Sequence, residues 1–164
     1  MAPPLSLRAR ALQWLSQREH SRLELRRKLL RASRRRDAET ATEGTEPVNP
    51  GPEIDALLDW LAANRYLSEA RFVESRVHAR STRFGNRRIV QELAQHGAEL
   101  DAGTAEQLKA SELGRARAVW QRKFGAAPAA DAAARAKQMR FLAGRGFSAE
   151  VIRRVIRGAD EDGD

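Results

Sequence analysis

Arg76, Arg80 and Arg83 recur at i, i+4 and i+7, and Arg87 and Arg88 follow just past Gly85. At that spacing side chains line one side of a helix, and each guanidinium presents a planar fork of donors that matches a phosphate or a carboxylate. A second group near the N-terminus, Arg22, Arg26, Arg27 and Arg31 with Arg34, repeats the pattern. The predicted chemistry is the gripping of a polyanion, either a nucleic acid or an acidic protein groove. For any single arginine a solvated helix face is the plainer reading. The grouping argues for binding.

Other chemistry finds little footing. His20, His78 and His96 lack the spacing of a metal site and read as surface residues. There is no cysteine, which excludes disulfides, thiolate metal sites and cysteine nucleophiles. Gly144-Arg145-Gly146 lacks the rest of a phosphate-binding loop and reads as a helix C-cap. No G-x-S-x-G occurs, and the carboxylates are scattered over exposed helical positions. Trp14, Trp60 and Trp120 lie on apolar helices and read as core rather than base-stacking surfaces. The expectation is a protein that is no enzyme, with no cofactor and no metal site.

Charge falls in blocks. The formal net charge of the 164 residues is +8. Residues 1–36 hold eleven Lys/Arg against two acids, whereas 37–59 hold seven acids and no base, and 60–164 return to nineteen bases against thirteen acids. Such blocks point to a polyanionic partner, nucleic acid first. The N-terminus lacks the apolar stretch of a secretory signal and no window reaches the length of a membrane span. This predicts a soluble cytoplasmic protein without a membrane partner.

The elements that would position these residues are helices. Aromatics make up 5% of the chain with a single tyrosine, beside abundant Ala, Leu and Arg, a balance that favours helix over sheet. Three segments of similar design recur, Ser21–Ala32, Gly85–Gly97 and Ala134–Gly146, with Leu29, Leu93 and Leu142 in register. Leu25 and Ile89 meet a polar Gln138 in the third copy. The recurrence predicts an all-α fold of three tandem three-helix modules in an extended array, straight or curved.

The first module, 1–66, has a helix over 7–17, a capping box at Ser21 and Glu24 opening a second helix, and a third helix with Pro52 in its first turn and Ile54, Leu57, Leu58 and Leu61 inward. A mobile acidic loop is expected over 34–53, after the second helix ends at Ser33. The second module, 67–111, opens at Ser68, with Ala70, Val73 and Val77 along one side. It continues through Gly85–Gly97 and closes with a short helix capped at Thr104. The third, 112–158, runs through Leu113, Ala116, Trp120 and Phe124, resumes over 131–144, and ends in a helix capped by Ser148 and stopped by Gly158. A disordered acidic tail is expected over 159–164.

Four segments in order resemble the RecX regulatory proteins of bacteria. REHSRLELRRKL (Arg18–Leu29) looks like R-x-H-S-x-x-E-L-x-x-K-L, and RYLSEARF (Arg65–Phe72) resembles Y-L-D-D-x-R-F, with Ser68 and Glu69 where paired acids are common. GNRRIVQEL (Gly85–Leu93) fits G-x-x-R-I-x-x-E-L, and RFLAGRGFSAEVI (Arg140–Ile152) resembles R-F-L-x-x-R-G-F followed by an isoleucine. The resemblance implies a modulator that binds the filament of the RecA recombinase on DNA and inhibits its ATPase, strand-exchange and co-protease activities. It also implies contact with single- or double-stranded DNA, weak and without strong sequence preference. The monomer is expected. Two alternatives from the residues alone are a general nucleic-acid-binding protein of helix-turn-helix type and a passive helical-repeat scaffold. The acid-rich loop and the acidic tail depart from the family pattern without touching the matched motifs.

Overall fold

The computed structural model describes residues 5–41, 48–125 and 128–161, with side chains as far as 158. Among these residues there are eight α-helices and no strand: α1 (Leu7–Gln17), α2 (Arg22–Thr40), α3 (Gly51–Ala63), α4 (Glu69–Ser81), α5 (Asn86–Gln95), α6 (Ala102–Phe124), α7 (Ala132–Gly144) and α8 (Ala149–Glu161). No helix among them is long and apolar enough to cross a membrane. The chain divides into two compact units, Met1–Phe72 with His96–Ala98, and Val73–Gln95 with Glu99–Asp164.

In the first unit, Ser6 accepts from Ala9 N–H at 3.1 Å and Ser21 from Glu24 N–H at 3.1 Å, so both helix starts have a side-chain cap. Leu7 and Ala11 of α1, Leu25, Leu29 and Ala32 of α2, and Ile54, Leu58 and Leu61 of α3 converge on one core, closed by Leu67. The exit from α3 is a Schellman turn: Tyr66 N–H donates to Leu61 O and Arg65 N–H to Ala62 O, with Arg65 at φ 62°. That left-handed position is ordinarily glycine's.

The second unit's main core joins α6, α7 and α8 through Ala116, Val119, Trp120, Leu142, Phe147, Ile152, Val155 and Ile156. The helix that follows Leu29's design in the third copy carries Gln138, and the structure explains it. Gln138 is buried, and its Oε1 accepts from Trp120 Nε1–H at 2.9 Å, so a polar side chain satisfies the indole where the other copies have Leu25 and Ile89.

Several expected boundaries move. Helix α2 runs on to Thr40 rather than stopping at Ser33, because Arg34–Thr40 holds no glycine or proline. Its lost apolar periodicity reflects exposure on every side rather than a loop. The remainder of the expected loop lies partly outside the described residues, which omit 42–47. Helix α6 is one helix of 23 residues, where the sequence suggests a short helix followed by another. Its cap is Asp101, which accepts from Thr104 N–H at 2.9 Å, and Gly114 sits within it with open space around its Cα. Helix α8 passes through Gly158 to Glu161, so the first part of the expected tail is helical; 162–164 lie outside the described residues. On α4, Ala70 is exposed while Phe72 and Val73 are buried, a shift of the inward face. His20 is buried, not a surface residue.

Candidate nucleic-acid and partner interface

Within the first unit, the α2 arginines divide into two sets. Arg22 and Arg26 face α3, where Arg22 Nη2 lies 2.7 Å from Asp59 Oδ1 and Arg26 meets Asp55 bidentately at 2.6 and 3.2 Å. The Arg26 hydrogen bond and charge hold the Asp55 carboxyl below its ordinary range. Both arginines stitch two antiparallel helices and offer little to an outside anion. Arg27 and Arg31 are exposed, with Arg31 Nε donating to Arg27 O at 3.4 Å, and Arg34 is exposed beyond them.

His20 sits below this helix. Its Nδ1–H donates to Arg18 O at 2.9 Å and its Nε2 accepts from Lys28 Nζ at 3.0 Å. Burial pushes the imidazole below its ordinary value, partly offset by the Arg18 carbonyl. Lys28 is lowered too, first by burial and then by the Arg18 charge, and lies 4.4 Å from the Trp14 ring centre. Burial pushes Glu24 up, yet its bond to Arg18 and the Arg18 charge together outweigh this and leave it below its ordinary value. The histidine is a structural hydrogen-bonding hub.

The second unit gathers its arginines around a turn. Arg115, on α6, donates to Ser81 O at 3.0 Å, Phe84 O at 2.9 Å and Leu108 O at 3.1 Å, and also to Asn86 Oδ1. Burial lowers its pKa from the ordinary value, yet a guanidinium keeps its charge in a protein. Glu112, also buried on α6, accepts from Asn86 N–H at 3.1 Å and so caps α5 from outside it. Gly85 N–H donates to Arg145 O at 2.8 Å and Arg87 N–H to Gly146 O at 3.1 Å. A Cβ on Gly85 would lie 2.3 Å from the Gly146 carbonyl, and Gly146 has φ 89°. Only glycine permits that approach. The expected C-cap at 144–146 is therefore also a docking point for the α4–α5 turn.

This contact brings Arg80, Arg83, Arg88 and Arg145 around the buried Phe84 ring, with guanidinium carbons 5.7, 5.5, 4.1 and 5.4 Å from its centre. Glu92 pairs with two of them: Arg80 Nε lies 2.9 Å from Oε2, without hydrogen-bond geometry, and Arg88 Nε 3.4 Å from Oε1. Arg83 and Arg145 have no carboxylate partner among the described residues. Arg83 lies in the turn past the end of α4 rather than on its helix. Arg76, half-buried, is not aligned with it on a continuous exposed stripe.

Two clefts border the cluster. One of about 430 Å³ is lined by Arg87, Arg88, Gln91, Glu92, Gln95 and the 143–146 turn. The other, about 250 Å³, is lined by Arg83, Arg122, Lys123 and Arg145 over Phe141 and Val119. Arg122 Nη2 donates to Thr82 O at 2.5 Å, which fixes it beside Arg83. Arg122, Lys123 and Arg145 are not among the residues singled out by helical spacing. Arg122 and Lys123 are adjacent in sequence, which gave a weak signal, but Arg145 is brought to them by the packing of α6 against α7, and Arg83 by the glycine contact. No group of three His, Asp or Glu suited to a metal occurs among the described residues.

Profiles of RecX match this chain twice, the second three-helix domain at residues 68–99 and the third at 110–156. The Regulatory protein RecX of Ralstonia nicotianae is 51% identical over 98% of this chain and 94% of its own length. The chain belongs to the RecX family. The Regulatory protein RecX of Herbaspirillum seropedicae is likewise 51% identical, over 98% of this chain and 96% of that one. The crystal structure of RecX from Lactobacillus salivarius superposes with a TM-score of 0.65 at 18% identity, covering 94% of this chain and 95% of that one. At that identity the likeness shows the shared fold: RecX proteins this distant keep the helical architecture. The role this establishes is a regulatory one.

Proposed function

We propose that this chain binds the RecA filament on DNA and inhibits its ATP hydrolysis, strand exchange and co-protease activity, thereby regulating recombination, DNA repair and the SOS response from the cytoplasm. The observation that carries the reading is near-full-length kinship with proteins named Regulatory protein RecX. The basic cluster around Phe84 supports it, since it places cations without carboxylate partners on one unit. In this reading the modules are 1–66, 67–111 and 112–158, the protein acts as a monomer, and its contact with DNA is electrostatic and indifferent to sequence.

The test adds the purified protein to preformed recombinase filaments on single-stranded DNA and follows ATP hydrolysis. A dose-dependent fall supports inhibition. An unchanged rate, with tight and sequence-selective binding to bare duplex, moves the protein to the helix-turn-helix class of DNA-binding proteins.

A further inference from the structure

We propose that the groove formed by Arg83, Arg122, Lys123 and Arg145 over Phe141 is the docking site for the phosphodiester backbone of a nucleic-acid strand. Four cations converge on a space of about 250 Å³, and its lining contains no carboxylate. Among the described residues none of the four forms an ion pair, so their charge is uncompensated within the fold. That arrangement is costly through mutual repulsion unless an anion enters. One carboxylate or one phosphate would leave most of the charge unmatched, so the occupant is a chain of anionic groups.

The groove is also held in shape. Arg122 is anchored by its bond to Thr82 O, and Arg145 lies 5.2 Å from the Phe141 ring centre and 5.4 Å from that of Phe84. Lys123 adds a point charge 5.9 Å from Phe141. Phe141 meets Phe124 edge-on at 5.3 Å, which braces the floor. A floor of Phe141 and Val119 beneath a cationic rim suits a polymer that alternates charge with flat apolar surface. A nucleic-acid strand supplies both, whereas an acidic peptide supplies charge alone.

This inference rests on the nucleic-acid part of the function proposed above and is tested on bare oligonucleotide without recombinase, so its failure is distinguishable from a failure of the recombinase inhibition. Fluorescence anisotropy of a labelled oligothymidylate compares the parent with R122E/K123E, the neutral R122Q/K123Q, and R153E/R154E, which makes the same charge change on exposed α8 positions outside the groove. Circular dichroism confirms equal helicity, and the neutral pair serves if the reversed pair misfolds. The expected result is a loss of about tenfold or more for R122E/K123E, a smaller loss for the neutral pair, and little change for R153E/R154E. The salt slope of the neutral pair should flatten by about 1.4, roughly 0.7 for each single-strand phosphate contact removed. Equal losses in the groove and α8 variants, or no loss in the groove variants, would overturn the site. So would displacement of the oligonucleotide by polyglutamate more readily than by polyphosphate at equal charge.

Discussion

The two units hold arginines of the same kind and put them to different use. In the first, Arg22 and Arg26 meet Asp59 and Asp55 one helical turn apart, and the small recess of about 60 Å³ that holds Arg10, Arg35 and Arg36 also holds Glu39. In the second, one carboxylate, Glu92, serves Arg80 and Arg88, while the groove of Arg83, Arg122, Lys123 and Arg145 has none. What decides whether an arginine staples two helices or keeps an uncompensated charge is the neighbouring helix rather than the arginine itself. Where the neighbour carries Asp at matching spacing, charge is spent internally; where it carries Phe and Val, charge stays available.

Breaking the glycine contact should do most damage. Gly85→Ala places a Cβ where the Gly146 backbone already lies, and we expect it to destabilise the second unit by about 3 kcal/mol, at the upper end of overpacking costs. Urea denaturation measures this, and a shift below about 0.5 kcal/mol would mean that the turns part freely. Freeing the first unit's arginines sharpens the contrast from the other side. Asp55→Asn with Asp59→Asn leaves Arg22 and Arg26 without carboxylates, and affinity for an oligonucleotide should rise about fivefold. If it does not rise, charge alone is insufficient and the groove's shape matters more.

Acid should weaken the first unit through His20. Its folded pKa is depressed, so the unfolded chain binds more protons. Its stability contribution is full above the ordinary histidine value of about 6.5 and is lost as pH falls from there through the lower folded value. A protonated His20 would meet Lys28 and Arg18, with Glu24 the opposing charge. The urea midpoint should therefore drop as pH falls below about 6.5, and His20→Gln should flatten that dependence; an identical slope in the variant would remove His20 from the account. The smallest effect is expected at Arg65, whose left-handed backbone Arg65→Gly would relieve. The gain should be about 0.5 kcal/mol, because glycine's extra freedom in the unfolded chain offsets part of the relief. Thermal unfolding would show a slightly higher midpoint.

Much of the helical plan was legible because it rests on local chemistry. The caps at Ser21, Ser68 and Ser148 accept the expected backbone N–H groups, and Leu29, Leu93 and Leu142 are all buried. Helix α1 has the bounds its apolar spacing predicts. What local reading missed has a common cause. The extension of α2 and the continuity of α6 depend on good helix formers with no apolar pattern or with one tolerated glycine, where periodicity is silent. Whether Arg22, Arg26 and Arg80 are neutralised depends on Asp59, Asp55 and Glu92 arriving from other helices. The groove joins Arg83 to Arg145 across 62 positions, through two glycines whose pairing no spacing rule reveals.

We propose that the second unit's uncompensated cations carry the regulatory contact, and inhibition of ATP hydrolysis by preformed recombinase filaments tests this most directly. The comparison is between Arg83→Ala with Arg145→Ala in the second unit and Arg35→Ala with Arg36→Ala in the first, all folded to parental helicity. The account predicts that the first pair raises the protein concentration needed for half-inhibition about tenfold, while the second pair stays close to the parent. Equal potency of both variants, or a greater loss from the first unit's pair, would contradict it.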